Sequence, residues 1–186
     1  GSESSRQERN STTNQTILSG DIGNINDGSD NTFHVVVPSN ESHLEGFIIQ
    51  DGNASENYSD SRGKGGGLYA EGVNFSISEC IFQGNRARQQ GGAAYLLDTN
   101  ATFSNCTFSN NRGSGLGSGL GYAGAIYSKD VILVLNSCQF NNNQADLEGG
   151  AIFAEYSEIN ATSCTFSGNQ NTTNNGGGAL ALKFCT

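Results

Sequence analysis

The sequence predicts an all-β fold, a single-stranded parallel β-helix (solenoid) of about five to six coils. The first observation behind this is a short pattern that returns four times. The second is that one interval inside the pattern is rigid while the other varies. The third is glycine: 26 of 186 residues, without collagen's strict period, which calls for many tight turns.

Each copy opens on small residues: Gly66-Gly67, Gly91-Gly92-Ala93, Ala123-Gly124-Ala125 and Gly149-Gly150-Ala151, with a fifth opening at Gly177-Gly178-Ala179. Cys80, Cys106, Cys138 and Cys164 follow. Phe82, Phe108, Phe140 and Phe166 come two residues on, and Asn85, Asn111, Asn143 and Asn169 three beyond those. Middle glycine to cysteine is 14 residues every time (66 to 80, 92 to 106, 124 to 138, 150 to 164). Phenylalanine to the next middle glycine is 10, 16, 10 and 12 residues (82 to 92, 108 to 124, 140 to 150, 166 to 178). A ribbon of fixed length with loops bulging from one corner is how a coiled repeat behaves.

Parity within the repeat assigns its strands. Residues five and three before each cysteine are apolar: Phe75 and Ile77, Ala101 and Phe103, Leu133 and Leu135, Ile159 and Ala161. The cysteine and phenylalanine make the next alternating pair, but an odd step of three separates the pairs. A flat strand would put them on opposite faces, so a bend before the cysteine is expected. Another strand follows the triplet. Three strands and three corners per coil are the expectation, with like residues stacked about 4.8 Å apart. Phenylalanines and cysteines then form internal columns. The four asparagines form a corner ladder, as asparagine tolerates left-handed backbone and bonds neighbouring chain.

Outside the repeats, residues 1–16 hold no large apolar side chain and read as a polar tail. The β-helix domain is expected over 17–186, its clear repeats over 65–182. Phe33 to Val37 reads as a strand stopped by Pro38, and Leu44 to Ile49 as another. Residues 24–31 and 53–64 read as polar loops, and 113–122 as a surface insertion.

With Gly-Gly-Ala-Ile and Phe-x-x-Asn alternating in this way, residues 65–182 resemble the repeats of chlamydial polymorphic outer-membrane proteins and related bacterial and protist surface proteins. The resemblance implies a right-handed parallel β-helix displayed outside the cell, often adhesive. The chain departs from that pattern in being short, rich in glycosylation acceptors and without a C-terminal β-barrel translocator.

Net charge is −9, and the nine basic residues are scattered along the chain. No basic face is expected, which argues against nucleic acid and anionic lipid as partners. No apolar run is long enough to span a membrane. Ten asparagines stand in N-x-[ST] context: Asn10, Asn14, Asn40, Asn53, Asn57, Asn74, Asn100, Asn105, Asn160 and Asn171. Chance alone would give roughly four, so N-linked glycans are a candidate modification. Asp21, Asn24, Asn26, Asp27 and Asp30 crowd one loop and form a weak Ca²⁺ candidate, against a plain hydrogen-bonded turn. The four in-phase cysteines read as buried thiols rather than metal ligands, since no C-x-x-C exists. Cys185 falls outside that phase and is expected to be exposed or cross-linked. No catalytic residue is assigned and no cofactor is required: carboxylates do not align on a strand face, and no nucleophile-elbow motif is present.

The expected function is a non-catalytic extracellular or cell-surface structural module. It would assemble end to end into a fibre or adjoin further repeats of a longer chain. The alternative is an adhesin binding a glycan or receptor through loops 53–64 and 112–122, and a polysaccharide-active enzyme stands third. The insertion sets the first test. Deleting residues 116–121 restores the short spacing and should leave soluble expression and the β-type circular dichroism spectrum intact. Loss of either would refute the register.

Overall fold

The computed structural model describes residues 13–25, 27–56, 61–115, 121–173 and 176–186. Asn10, Asn26, Asn57 and residues 116–120 lie outside these. The chain winds as a parallel β-solenoid, and each full coil contributes one short strand to each of four sheets. The first face stacks Leu68–Glu71, Ala94–Leu97, Ile126–Lys129, Ile152–Glu155 and Leu180–Lys183. The second stacks Ser42–Glu45, Phe75–Ser78, Asn100–Ser104, Ile132–Asn136 and Glu158–Thr162. The third has six strands: Thr16–Ser19, Phe47–Gln50, Ile81–Gln83, Thr107–Ser109, Gln139–Asn141 and Thr165–Ser167. The fourth is made of two-residue strands: Asn53–Ala54, Arg86–Ala87, Arg112–Gly113, Gln144–Ala145 and Gln170–Asn171. Every pairing between these strands is parallel and in register.

Four faces replace the three expected from sequence. The corners explain why the odd step of three does not flip the side chains. The bend before each in-phase cysteine is one left-handed residue, Glu79, Asn105, Ser137 or Ser163, and Gly46 takes the same place before Phe47, at φ 53° to 77°. Equivalent single residues turn the other corners: Gly72, Asp98 and Asp130; Gly84, Asn110 and Asn142; Gly65, Gly91 and Gly149. One residue of opposite hand re-aims the next strand so that its alternate side chains point inward again. The expected division of labour at the asparagines therefore changes. Asn110 and Asn142 take the left-handed backbone, while the ladder residues beside them do not.

Inside, Leu18, Ile49, Phe82, Phe108, Phe140 and Phe166 form one column through paired strands. Ring centroids of Phe82, Phe108, Phe140 and Phe166 lie 4.8–4.9 Å apart with planes within 10° of parallel. Phe103 meets Phe82 and Phe108 edge-on from the second face, closing the core. The asparagine ladder runs beside this column, buried. Asn111 Oδ1 accepts from both Asn85 N and Asn85 Nδ2. Asn111 Nδ2 donates to Phe82 O and to Asn143 Oδ1 at 2.9 and 3.0 Å. Asn143 repeats the arrangement with Phe108 and Asn169. Each interior amide thus satisfies its own four bonds and fastens a backbone group one coil away.

The triplet works by two separate requirements. Its first residue, as Gly91 or Gly149, sits at positive φ. Its middle residue has no space for a Cβ: one placed on Gly92 would lie 2.3 Å from Gly124 O, and one on Gly124 2.2 Å from Gly150 O.

Three local expectations are corrected. Residues 33–37 form no strand and join the solenoid's ladder through the Val36–Leu68 bridge and hydrogen bonds such as Val35 N to Gly66 O. The expected strand 44–49 is two strands bent at Gly46. The insertion is narrower than 113–122, since Gly113 lies in a strand, Ser114 is buried, and Tyr122 bridges to Gln90.

Phe108→Ala should cost roughly 3–5 kcal/mol through lost burial and the cavity left behind. Asn111→Ala removes no large apolar volume but strands the backbone N–H of Asn85 and the carbonyl of Phe82, and should cost roughly 3 kcal/mol. Urea titration of both variants checks this, and a loss below 1 kcal/mol in either would contradict the inward assignment.

Candidate functional site

Cys80, Cys106 and Cys138 are buried free thiols in one column, with Cys164 half-buried on the last coil. Their sulfurs donate to carbonyls of the preceding coil, Cys138 to Phe103 O and Cys164 to Leu135 O, both at 3.4 Å. Burial raises the Cys80 thiol above its usual range. The adjacent Cys138 thiol and burial raise Cys106 above its usual range, and the adjacent Cys106 lowers Cys138. Cys185 lies outside the cysteine column, as its phase implies, but is a half-buried free thiol rather than an exposed one. It continues another inward corner column, after Val131 and Ser157, and donates to Ala154 O at 3.3 Å. It packs against the main core.

The acidic loop is held by its own hydrogen bonds. Asp27 accepts from the Oγ and N of Ser29, which hold its pKa below the usual carboxylate value, and Asp30 Oδ2 accepts from Asn24 N at 2.7 Å. Asp21 lines a neighbouring polar cleft. Among the described residues no three His, Cys, Asp or Glu side chains form a metal-binding group. Asn26 lies outside those residues.

Outside the second face, His43 Nδ1 stands 2.9 Å from Ser76 Oγ, and His43 Nε2 stands 3.2 Å from Glu45 Oε2. Serine, histidine and carboxylate are a nucleophile–base–orienter set by residue type. Ser76, however, lies within a strand paired on both sides, so its neighbouring N–H groups serve the ladders. That leaves no pair of donors for an oxyanion. The contacts amount to a polar surface network, which sequence reading missed.

The first face carries a second apolar layer on its outer side. Tyr69, Tyr95, Tyr127 and Phe153 stack at 5.3–5.5 Å with planes within 11°. Tyr95, Tyr127 and Phe153 are buried there, together with Ala123. Lys64 sits over Tyr95, and Lys183 over Phe153, each at 4.9 Å. Burial pushes the Tyr95 hydroxyl up to about 12, helped by Glu71, Glu155 and Asp98. Tyr127 is raised further by burial and its bond to Glu155. These rings are packed, not offered to a ligand.

Three of the basic residues come closer in space than in sequence. Arg86 and Arg112 are direct partners on adjacent strands of the fourth face, and Arg88 follows two residues after Arg86. Arg112 pairs with Asp146 at 3.2 Å. The useful signal was numerical: 86 and 112 differ by 26 residues, the length of that coil from Gly66 to Gly92.

The glycosylation acceptors sort by geometry. Asn40 Oδ1 accepts from Asn74 N and Asn74 Oδ1 from Asn100 N, an external ladder that uses only the oxygens. Asn14, Asn40, Asn100, Asn105 and Asn160 are exposed, and Asn105 occupies a left-handed corner. Asn53 Nδ2 instead donates to Gly28 O, and Asn171 Nδ2 to Gly176 O. Asn171 stands in register with Ala145, Gly113 and Ala87, an inward column. Asn10 and Asn57 lie outside the described residues.

No helix among the described residues is long and apolar enough to cross a membrane. A profile of the family described as right handed beta helix region matches residues 17–186. No curated protein and no solved structure matches the chain.

Expressed through a eukaryotic secretory route, the protein should carry sugar at Asn74, Asn100 or Asn105 and none at Asn171. Glycopeptide mass spectrometry reads this directly, and the reverse pattern would contradict the outward and inward assignments.

Proposed function

The chain belongs to the right-handed β-helix family, and from that premise we propose that it is a non-catalytic structural module of an extracellular or cell-surface protein. Its coils stack on further β-helical coils, supplied by neighbouring repeats or by a second copy. The observation that carries this reading is the in-register repetition of the ladder: each inward column continues from coil to coil, as Leu96, Ser128, Ala154 and Leu182 do, so a further β-helical coil adds through the same parallel pairing. Paired strand edges and buried apolar side chains both stabilise such stacking. Joining unlike ends is a heterologous contact that propagates as a filament.

The resemblance to repeats of polymorphic outer-membrane proteins supports a location outside the cell, as does the number of glycosylation acceptors. Catalysis has less support. Among the described residues, the serine–histidine–glutamate contact sits on a flat, fully paired strand, and no metal-binding group forms.

Sedimentation velocity across a concentration series tests stacking between copies. The protein should show mass-dependent assembly that Leu182→Glu abolishes while the circular dichroism spectrum is unchanged. A chain extended after Thr186 by a copy of residues 159–186 should melt at a higher temperature. A monomer at every concentration, with no gain from the extra coil, would overturn the reading.

A further inference from the structure

We infer that the fourth face carries a binding site for a carboxylate-bearing sugar, a sialic or uronic acid unit of a glycan, centred on Arg86 and Arg112. The site lies on the lateral surface and is independent of axial stacking.

In-register stacking sets these two guanidinium groups on neighbouring strands. Like charges placed directly opposite each other are destabilising unless something compensates them. Only half of that compensation is present. Arg112 has Asp146, but Arg86 is exposed and makes no ion pair with any described residue. Arg112 also keeps its Nε buried with no hydrogen-bond acceptor. The arrangement therefore lacks one acceptor that is negative and can reach two donors. A carboxylate meets this requirement, because a guanidinium binds it through two parallel N–H bonds.

The surroundings narrow the ligand. A cleft of about 160 Å³ beside Arg86 is lined by Asn53, Ser55, Arg88 and Ser114, with Ala87 at its floor. Among the described residues that lining offers amide, hydroxyl and guanidinium groups and no carboxylate, and amide and hydroxyl groups suit a ligand rich in hydroxyls. Its volume is below the ~300–1,000 Å³ typical of drug-sized pockets, so it fits a single ring. On the other side of Arg86 the surface turns acidic, with Asp21 and Asp51 lining the adjoining cleft. Net charge is −9. A polyanion would be repelled by the rest of the molecule, whereas a glycan of sparse charge would not.

The test is titration of the isotope-labelled protein with N-acetylneuraminic acid and with galacturonate, read by NMR shifts of the arginine Nε–H and Ser114 amide signals. Galactose, acetate, inorganic sulfate and a short polyglutamate peptide are the controls. Saturable shifts with the sugar acids are expected, at least tenfold weaker with galactose and with acetate. Arg86→Gln should weaken binding tenfold or more, and Arg86→Lys should restore only part of it. Arg112→Gln, at the neighbouring strand, provides a second variant should the first fail to fold. Equal response to galactose, or to acetate and sulfate, would overturn the proposal. So would tighter binding of polyglutamate, or sugar-acid binding that both glutamine variants leave unchanged.

Discussion

Every structural feature of this molecule depends on the parallel hydrogen-bond ladder that links each coil to the next. That ladder fixes the vertical step at the spacing of paired strands, about 4.8 Å. Residues one coil apart are therefore forced into contact whether or not they suit each other. Phenylalanine over phenylalanine is favourable because stacked rings tolerate that distance. Asparagine over asparagine is favourable because each amide has a donor for the next amide's oxygen. The middle glycine is obligatory for the same reason, since the adjacent coil's carbonyl already occupies the space of its Cβ. Arginine over arginine is the case that the ladder imposes without resolving, because Asp146 answers only one of the pair.

A solenoid of this kind has a core one side chain deep, and the outer tyrosine layer adds to it. Tyr95 and Tyr127 turn the outside of the first face into a second apolar cluster. They account for part of how a chain with only 34% hydrophobic residues closes so well around its ribbon. Lys64 and Lys183, laid over the rings, shield them while keeping their charges near solvent.

Much of this could be read from residue spacing, and the exceptions have physical causes. The constant distance from middle glycine to cysteine encodes the register, and the inward columns follow from it. The fourth face was invisible because strands such as Arg86–Ala87 are too short to show any periodicity. Cys185 does stand outside the cysteine column, but its inward place after Val131 and Ser157 was not legible because those corner residues share no residue type with it. The left-handed residues at Glu79 and Ser137 have no special composition, so the bend was legible only as a break in parity. Contacts across the ladder, such as Ser76 with His43, join residues 33 apart, and no local pattern announces them. Handedness came from the family profile and not from any residue pattern.

The direction of the backbone hydrogen bonds also governs how the molecule bears force. Those bonds lie along the solenoid axis, so a pull between its two ends loads the coils in series, each in tension rather than in shear. Rupture then proceeds as peeling, one turn at a time, starting where the grip is least. The asparagine ladder would act as a row of rivets, so that each step of extension releases a discrete length of chain before the next amide is strained. Such a module would extend in stages under mechanical load instead of giving way at once.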